Sequence, residues 1–331
     1  MTRANVFQGV QVGVETVAGT AVTADVKLTG LNIEPKIGSE VNLFRPQGYK
    51  YPTVQAQGKE WAEASLSGQP TYTELVYLLS GLLGEAVITT PGGATLTRLW
   101  TFSPSTDAAD VPVTFTVEKG DSSRAFRFPY GLLTALGLKS NRSQCELSGS
   151  MIGQAITDGI TLTAGAAALE LIPILPEHWD VYLADTQAGL AAAEKLAAAF
   201  TFDLQIGNKF GAVWTLNSSE ASFAGHVDLV PTATLNLLVE ADATGMGLLT
   251  QLRSGATKWV RLTATGPLIE SGQYYSVQID MACKVSAPQE FADQEGVFAV
   301  GWELALTHDE TWGGAFVVAV KNELTALVEG S

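Results

Sequence analysis

A strand that runs into a capped helix and ends at glycine occurs twice in this chain, and that repetition limits what the remaining residues can build. The first copy is Lys59–Gly84, KEWAEASLSGQPTYTELVYLLSGLLG. Trp61, Ala64 and Leu66 sit among small and polar residues, as on a half-buried strand. Gly68 and Pro70 break the strand. Thr71 with Glu74 three residues later has capping-box spacing. Leu75, Leu78, Leu79 and Leu82 then form a helical apolar stripe, and Gly84 stands at the C-cap. The second copy is Pro231–Gly255, PTATLNLLVEADATGMGLLTQLRSG. Here a strand over Thr234–Glu240 meets the capping candidate Asp242. A short helix follows through Leu248, Leu249 and Leu252, and Gly255 ends it. Strand patterns follow both helices. The expected fold is therefore mainly β, with two tandem modules at 31–152 and 200–331, each flanked by one α-helix. Thr71–Leu83 should superpose on Asp242–Ser254.

The pieces around these units are less regular. Residues 1–30 are rich in Gly and Thr with weak alternation and are expected to form an extended N-terminal arm leading into a strand, with a frayed terminus as the alternative. Leu31–Ile37 is a strand candidate. Val41–Gly58, VNLFRPQGYKYPTVQAQG, reads as a long loop, because Pro46, Gly48 and Pro52 forbid a helix. It gathers Phe44, Tyr49 and Tyr51 with Arg45, Lys50 and the nearby Lys59, a mixture typical of contact surfaces. A hairpin folded back on its own domain is the competing reading. Strands are expected at Leu99–Phe102, Val113–Glu118, Tyr130–Lys139 and Gln144–Ile152.

Residues 153–199 form the join. Its GLAAAEKLAAA stretch scores as helix by propensity, but it runs directly into Phe200–Ile206. That segment alternates as a strand answering Leu31–Ile37. In Gln273–Ser286 the residues Val277, Ile279, Met281, Cys283 and Val285 share one face. Val297–His308 does the same with Phe298, Val300, Trp302, Leu304 and Leu306, and Ala315–Leu327 supplies a last strand and tail.

Several function classes are disfavoured. The chain has 331 residues, 46% of them hydrophobic and 16% charged, so it can bury a core without metal or disulfides. A net charge of −15 argues against gripping a nucleic-acid backbone. Cys145 and Cys283, expected in equivalent or near-equivalent strands of the two halves, have no CxxC or Cys/His spacing and read as buried thiols. His178, His226 and His308 are not at ligand spacing from one another. The His308–Asp309–Glu310 run at a strand end does not converge as metal ligands would. GSMIG at 149–153 is not a nucleophile elbow, and no phosphate-binding glycine loop opens a helix. No catalytic residue, metal or cofactor is expected. The opening residues lack a signal core and no stretch approaches a membrane span, so a soluble cytoplasmic product is expected.

RPQGYKYPT, the Lys59–Gly84 unit, FTVEKG and SQCELSGSMIGQAITDGI together resemble the major tail tube proteins of phages with long, non-contractile tails. The second half, through IGNKFGAVWTLN, LVEADATGMGLLTQLR and HDETWGGAFVVAVKNELTALV, is similar to the same family. The resemblance covers nearly the whole chain. It implies β-sandwich-like modules whose sheets join those of neighbours into a barrel around a channel, in rings stacked through loops and arms. It implies a structural virion protein, assembled in the bacterial host cytoplasm. Its partners would be itself, a tape-measure protein, the tail terminator and tip proteins, and DNA in transit without specific binding. Alternatives are a tail terminator or adaptor, a secretion-system tube protein, or a secreted β-sandwich binding module.

Most members carry one module and form hexameric rings, whereas this chain has two. About 24 strands tilted by ~40° close a barrel with a ~35 Å lumen. At about eight strands per chain, three chains suffice, and a trimer with pseudo-sixfold symmetry is expected instead of a hexamer. Phe44, Arg45, Tyr49, Lys50 and Tyr51 are expected to join rings. Gln278, Asp280 and Lys284, with Glu118 and Glu146, are expected to line the channel. A net-negative wall would keep DNA off the surface.

Overall fold

The computed structural model describes residues 7–216, 219 and 221–327. Residues 1–6 of the expected arm, 217–218 and 220, and 328–331 of the expected tail lie outside the described residues. The fold is mainly β.

Its first half contains β1 (Gly9–Val14), β2 (Val26–Leu28), β3 (Leu31–Phe44), β4 (Val54–Gly68) and helix α1 (Glu74–Leu83). It continues through β5 (Val87–Thr89), β6 (Arg98–Phe102), β7 (Phe115–Gly120), β8 (Ala125–Asn141) and β9 (Cys145–Gly153). The short strands β10 (Thr157–Ile160) and β11 (Ala167–Ala168) lead into the join. The second half contains β12 (Trp179–Ala184), β13 (Ala199–Gly207), β14 (Phe210–Val213), β15 (Gly225–Asp228), β16 (Thr232–Glu240) and helix α2 (Ala243–Ser254). It ends with β17 (Lys258–Glu270), β18 (Gln273–Gln294), β19 (Val297–Leu306) and β20 (Phe316–Asn322).

The strand pairings repeat. In the first half β3 pairs with β4, β4 with β9, β9 with β8, β8 with β7 and β7 with β1, all antiparallel. In the second half β13 pairs with β16, β16 with β19, β19 with β18, β18 with β17 and β17 with β12, also antiparallel. β10 borders β8 as β20 borders β18. Each helix follows the counterpart strand, β4 or β16, but β5 and β6 intervene between α1 and β7 whereas α2 leads directly into β17. β13 stands at the end of its pairing series as β3 stands at the end of the first. The long strands β8 and β18 bend, and each lends its N-terminal part to one sheet and its C-terminal part to another.

Alternation explains the layers. Phe202, Leu204 and Ile206 of β13 and Val277, Ile279, Met281, Cys283 and Val285 of β18 are all buried. One continuous apolar core runs through both halves, because the β8–β13 pairing joins their sheets without a break: Thr201 lies opposite Asn141 and Ile206 opposite Leu136. β6 crosses similarly to pair with β20.

The helices differ in detail. The Glu74 N–H donates to Thr71 Oγ1 at 3.0 Å, the forward half of the expected capping box. The Glu74 carboxylate does not reach back. It is fully buried and accepts from the backbone N–H groups of Thr29 and Gly30 in the β2–β3 turn. Asp242 caps α2 by accepting from the Gly245 N–H at 2.7 Å, and Gly255 ends it at φ +66°. Every residue of α1 is buried, whereas in α2 only Gly245 and Leu248 are.

Several expectations are corrected. Residues 9–28 are not a free arm: alternating Val10, Val12 and Val14 with Val26 and Leu28 bury themselves in the sheet as β1 and β2. GLAAAEKLAAA forms no helix, only a 3-10 turn at Ala188–Ala191, in keeping with its run into the β13 strand rather than with its propensity. Val41–Gly58 is not a loop throughout. Its prolines and Gly48 are confined to the turn, so β3 runs to Phe44 and β4 starts at Val54, paired across a hairpin. Cys145 and Cys283 are unbridged and buried, on β9 and β18, which belong to the two halves but are not counterparts. Phe298 is 63% exposed, because β19 outruns β16 and has no core beneath its tip.

Candidate assembly edges and polar face

The strand order β3-β4-β9-β8-β13-β16-β19-β18 is one antiparallel ribbon, four strands from each half. Both of its ends are open. Among the described residues β3 pairs only with β4, and β18 beyond Cys283 pairs only with β19. Open edges offer unpaired N–H and C=O groups to another strand. Each edge also carries a proline, Pro35 or Pro288, which removes one donor.

One face of the ribbon covers the core and the other is polar. Register places Lys139 between Glu146 and Asp203, Asp203 beside Asn236, and Asn236 beside Glu303. On this face the carboxylates Glu34, Glu63, Glu146, Asp203 and Glu303 outnumber Lys36, Lys139 and Lys284.

The residues expected in the channel divide. Glu146 and Lys284 are exposed on the polar face. Gln278 and Asp280 lie in the N-terminal part of β18, in the other sheet. Asp280 is only 8% exposed. It holds the Arg261 guanidinium bidentately, with Nε and Nη2 donating at 2.6 and 2.9 Å, and it accepts from Gln278 Nε2 at 3.0 Å. The carboxylate in turn raises the Arg261 pKa. A small cluster of Ala184, Leu190, Trp259 and Ala282 covers this region. Glu118 is also buried and accepts from the Thr163 N–H at 2.9 Å. Asp203, Glu303 and Glu34 were not picked out from sequence, although strand parity alone would have found Asp203.

The β3–β4 hairpin carries the expected ring-joining residues. Every residue from Val41 to Gly58 is exposed, and Phe44, Tyr49 and Tyr51 are exposed by 56%, 60% and 76%. From Ser39 the paired strands run outward for about 20 Å. The tip holds itself together. Tyr49 N–H donates to Pro46 O, Thr53 N–H to Phe44 O, and Arg45 Nη1 to Tyr49 O at 3.0 Å. Arg45 is thus a brace for the turn, while Lys50 is exposed. The base is gripped by the second half: the Trp61 and Trp214 rings meet edge-on at 5.7 Å, Lys59 sits over Trp214, and Glu60 N–H donates to Ala221 O.

Two grooves occupy equivalent places. One, of about 580 Å³, lies between the starts of β12 and β13, and it is lined by the β8–β9 turn at 140–143 and by Gln294 and Glu295 of the β18–β19 turn. The other, of about 670 Å³, lies between β1, β2 and the start of β3.

Two histidines outside these features are internally engaged. Tyr72 Oη lies 3.0 Å from His178 Nδ1, Tyr130 Oη lies 3.0 Å from His226 Nδ1, and burial lowers both imidazole pKa values. Among the described residues no three His, Cys, Asp or Glu side chains are arranged to hold a metal ion, and no helix is long and apolar enough to cross a membrane. Comparison with protein-family models gives no match, nor does comparison with curated proteins.

Proposed function

We propose that this chain is a structural subunit, the tube-forming protein of a long, non-contractile phage tail, and that it carries two tandem copies of the tail-tube module. The observation that carries the reading is the eight-strand ribbon with two open ends. A chain whose halves are already joined edge to edge by β8 and β13 can extend the same sheet by pairing its β18 edge with the β3 edge of another copy. Such heterologous contacts close into rings when the rotation permits. Three ribbons supply 24 strands, the number that leaves a ~35 Å lumen at ordinary tilt. With the core on one side of the ribbon, its polar face lines that lumen. The excess of carboxylates there repels DNA phosphates over a screening length of ~8–10 Å. The projecting β3–β4 hairpin supplies contacts between rings.

In this reading the protein is not an enzyme. It works by assembly and passive conduction in the virion, with tape-measure, terminator and tip proteins as partners. Negative-stain microscopy of the purified protein at rising concentration tests the proposal. Long tubes of regular rings are expected. Isolated rings would indicate a terminator or adaptor of the same fold, and a persistent monomer would favour a binding module.

A further inference from the structure

The internal junction between the halves is a template for what the open edges do. Where β8 pairs with β13, the turn after β8 is carried to the groove between β12 and β13, placing 140–143 beside Trp179 and Asp180. Among the described residues, the equivalent groove in the first half, between β1, β2 and β3, is lined by no β-hairpin turn from the other half. It is lined by Lys27, Thr29, Asn32, Glu34 and Lys119. The strand that would bring a turn there is β18, the counterpart of β8, and the β18 edge past Cys283 is open.

We propose that the β18–β19 turn of a second copy seats in this groove, and that charge makes the contact head-to-tail. This rests on the assembly reading given above. The turn is the two-residue loop Glu295–Gly296, closed by the Gly296 N–H donating to Asp293 Oδ1 at 2.7 Å. The approach to it carries Glu290, Asp293 and Glu295 and is acidic. The groove carries Lys27, exposed on β2, and Lys119, buried with its ammonium on Glu34 and Asn32. Lys36 stands further along β3. Transferring the internal pairing places Val285–Phe291 of one copy along Leu31–Pro35 of the next. The stacked, exposed rings of Phe291 and Phe298, 4.9 Å apart, then reach the start of β3.

Pairing two β18 edges would set carboxylates against carboxylates. Like charges across an interface suppress the wrong partner. The internal turn bears Arg142, and its groove bears Asp180 and Lys195, with Glu295 of the same chain's β18–β19 turn at its rim.

The test is a charge swap in the full chain, read as the protein concentration at which particles form in low salt, by light scattering and microscopy. Lys27→Glu alone, and Glu290→Lys with Glu295→Lys, should each raise that concentration by about tenfold or more. All three changes together should restore most of the loss. Lys27, Glu290 and Glu295 are exposed, and circular dichroism checks that each variant is folded. Wild type that assembles while every variant assembles equally well overturns this contact and leaves the assembly reading intact. Single-side variants that fail without rescue in the combination also overturn it. Wild type that stays monomeric throughout overturns both.

Discussion

Replacing Phe44, Tyr49 and Tyr51 with alanine should separate assembly from folding. Burying an aromatic side chain covers ~150–250 Å². These three are already exposed by 56%, 60% and 76% in the single chain, so each has roughly 100–150 Å² left to bury. Together that is about 300–450 Å², or ~8–11 kcal/mol of gross burial at 25 cal/mol per Å². Ordering the side chains costs ~0.5–1.5 kcal/mol each, and a contact rarely covers all of the available area. A net loss of about 4 kcal/mol per hairpin contact remains, equivalent to ~10³ in a dissociation constant. Folding should lose at most ~1 kcal/mol, since little is buried against the chain itself. The critical concentration for tube formation, from sedimentation, should rise by about three orders of magnitude, while the melting temperature moves by only ~1–2 °C. A triple variant that forms tubes at the wild-type concentration refutes a stacking role for the hairpin. A variant that loses several kcal/mol of stability refutes the claim that the arm is free of the fold. Removing Phe44–Tyr51 altogether should give the same phenotype.

Asp280→Ala should destabilise the chain by ~2–3 kcal/mol, read from urea midpoints, because Arg261 is left half-buried without its partner; a change below ~0.5 kcal/mol would mean the pair is not formed. Leu204→Ala, at the buried seam between the halves, should cost ~2–5 kcal/mol and unfold both halves in one transition, whereas two separated transitions would show that the core is not continuous. Glu270 accepts from the backbone of Thr95 and then Thr97, and its pKa falls from 4.5 to about 2. A carboxylate depressed in the folded state stabilises above its unfolded value, and that contribution is lost as pH falls from 4.5 to about 2. Glu270→Gln should flatten the stability–pH curve in that window, and an unchanged slope would show that the Thr95–Thr97 clamp does not form in solution.

Short-range features were legible in the sequence. The cap at Asp242, the apolar alternation of β13 and β18, and the strand–helix–glycine order all follow from spacing a few residues apart. Long-range partners were not. Nothing in the sequence links Lys209 with Asp110 at 2.6 Å and Asp228 at 3.3 Å, or sends β6 of the first half onto β20 of the second. Asp280 read as a polar-face residue by parity. The bend in β18 puts its first part in a different sheet from its last, and Arg261 faces it only through the β17 register. The hairpin was misread as a loop because its prolines dominate the composition while occupying only the turn. Residues 9–28 read as an arm because strand pairs separated by about a hundred residues, such as β1 with β7, leave no local signature.

The most direct test of the account is the cross-section of an assembled tube by cryo-electron microscopy. The account predicts three chains per ring around a continuous barrel of about 24 strands, with β18 of each chain paired to β3 of the next and Glu146, Asp203 and Glu303 on the channel wall. Six chains per ring, or a wall formed by the opposite face of the ribbon, would contradict it.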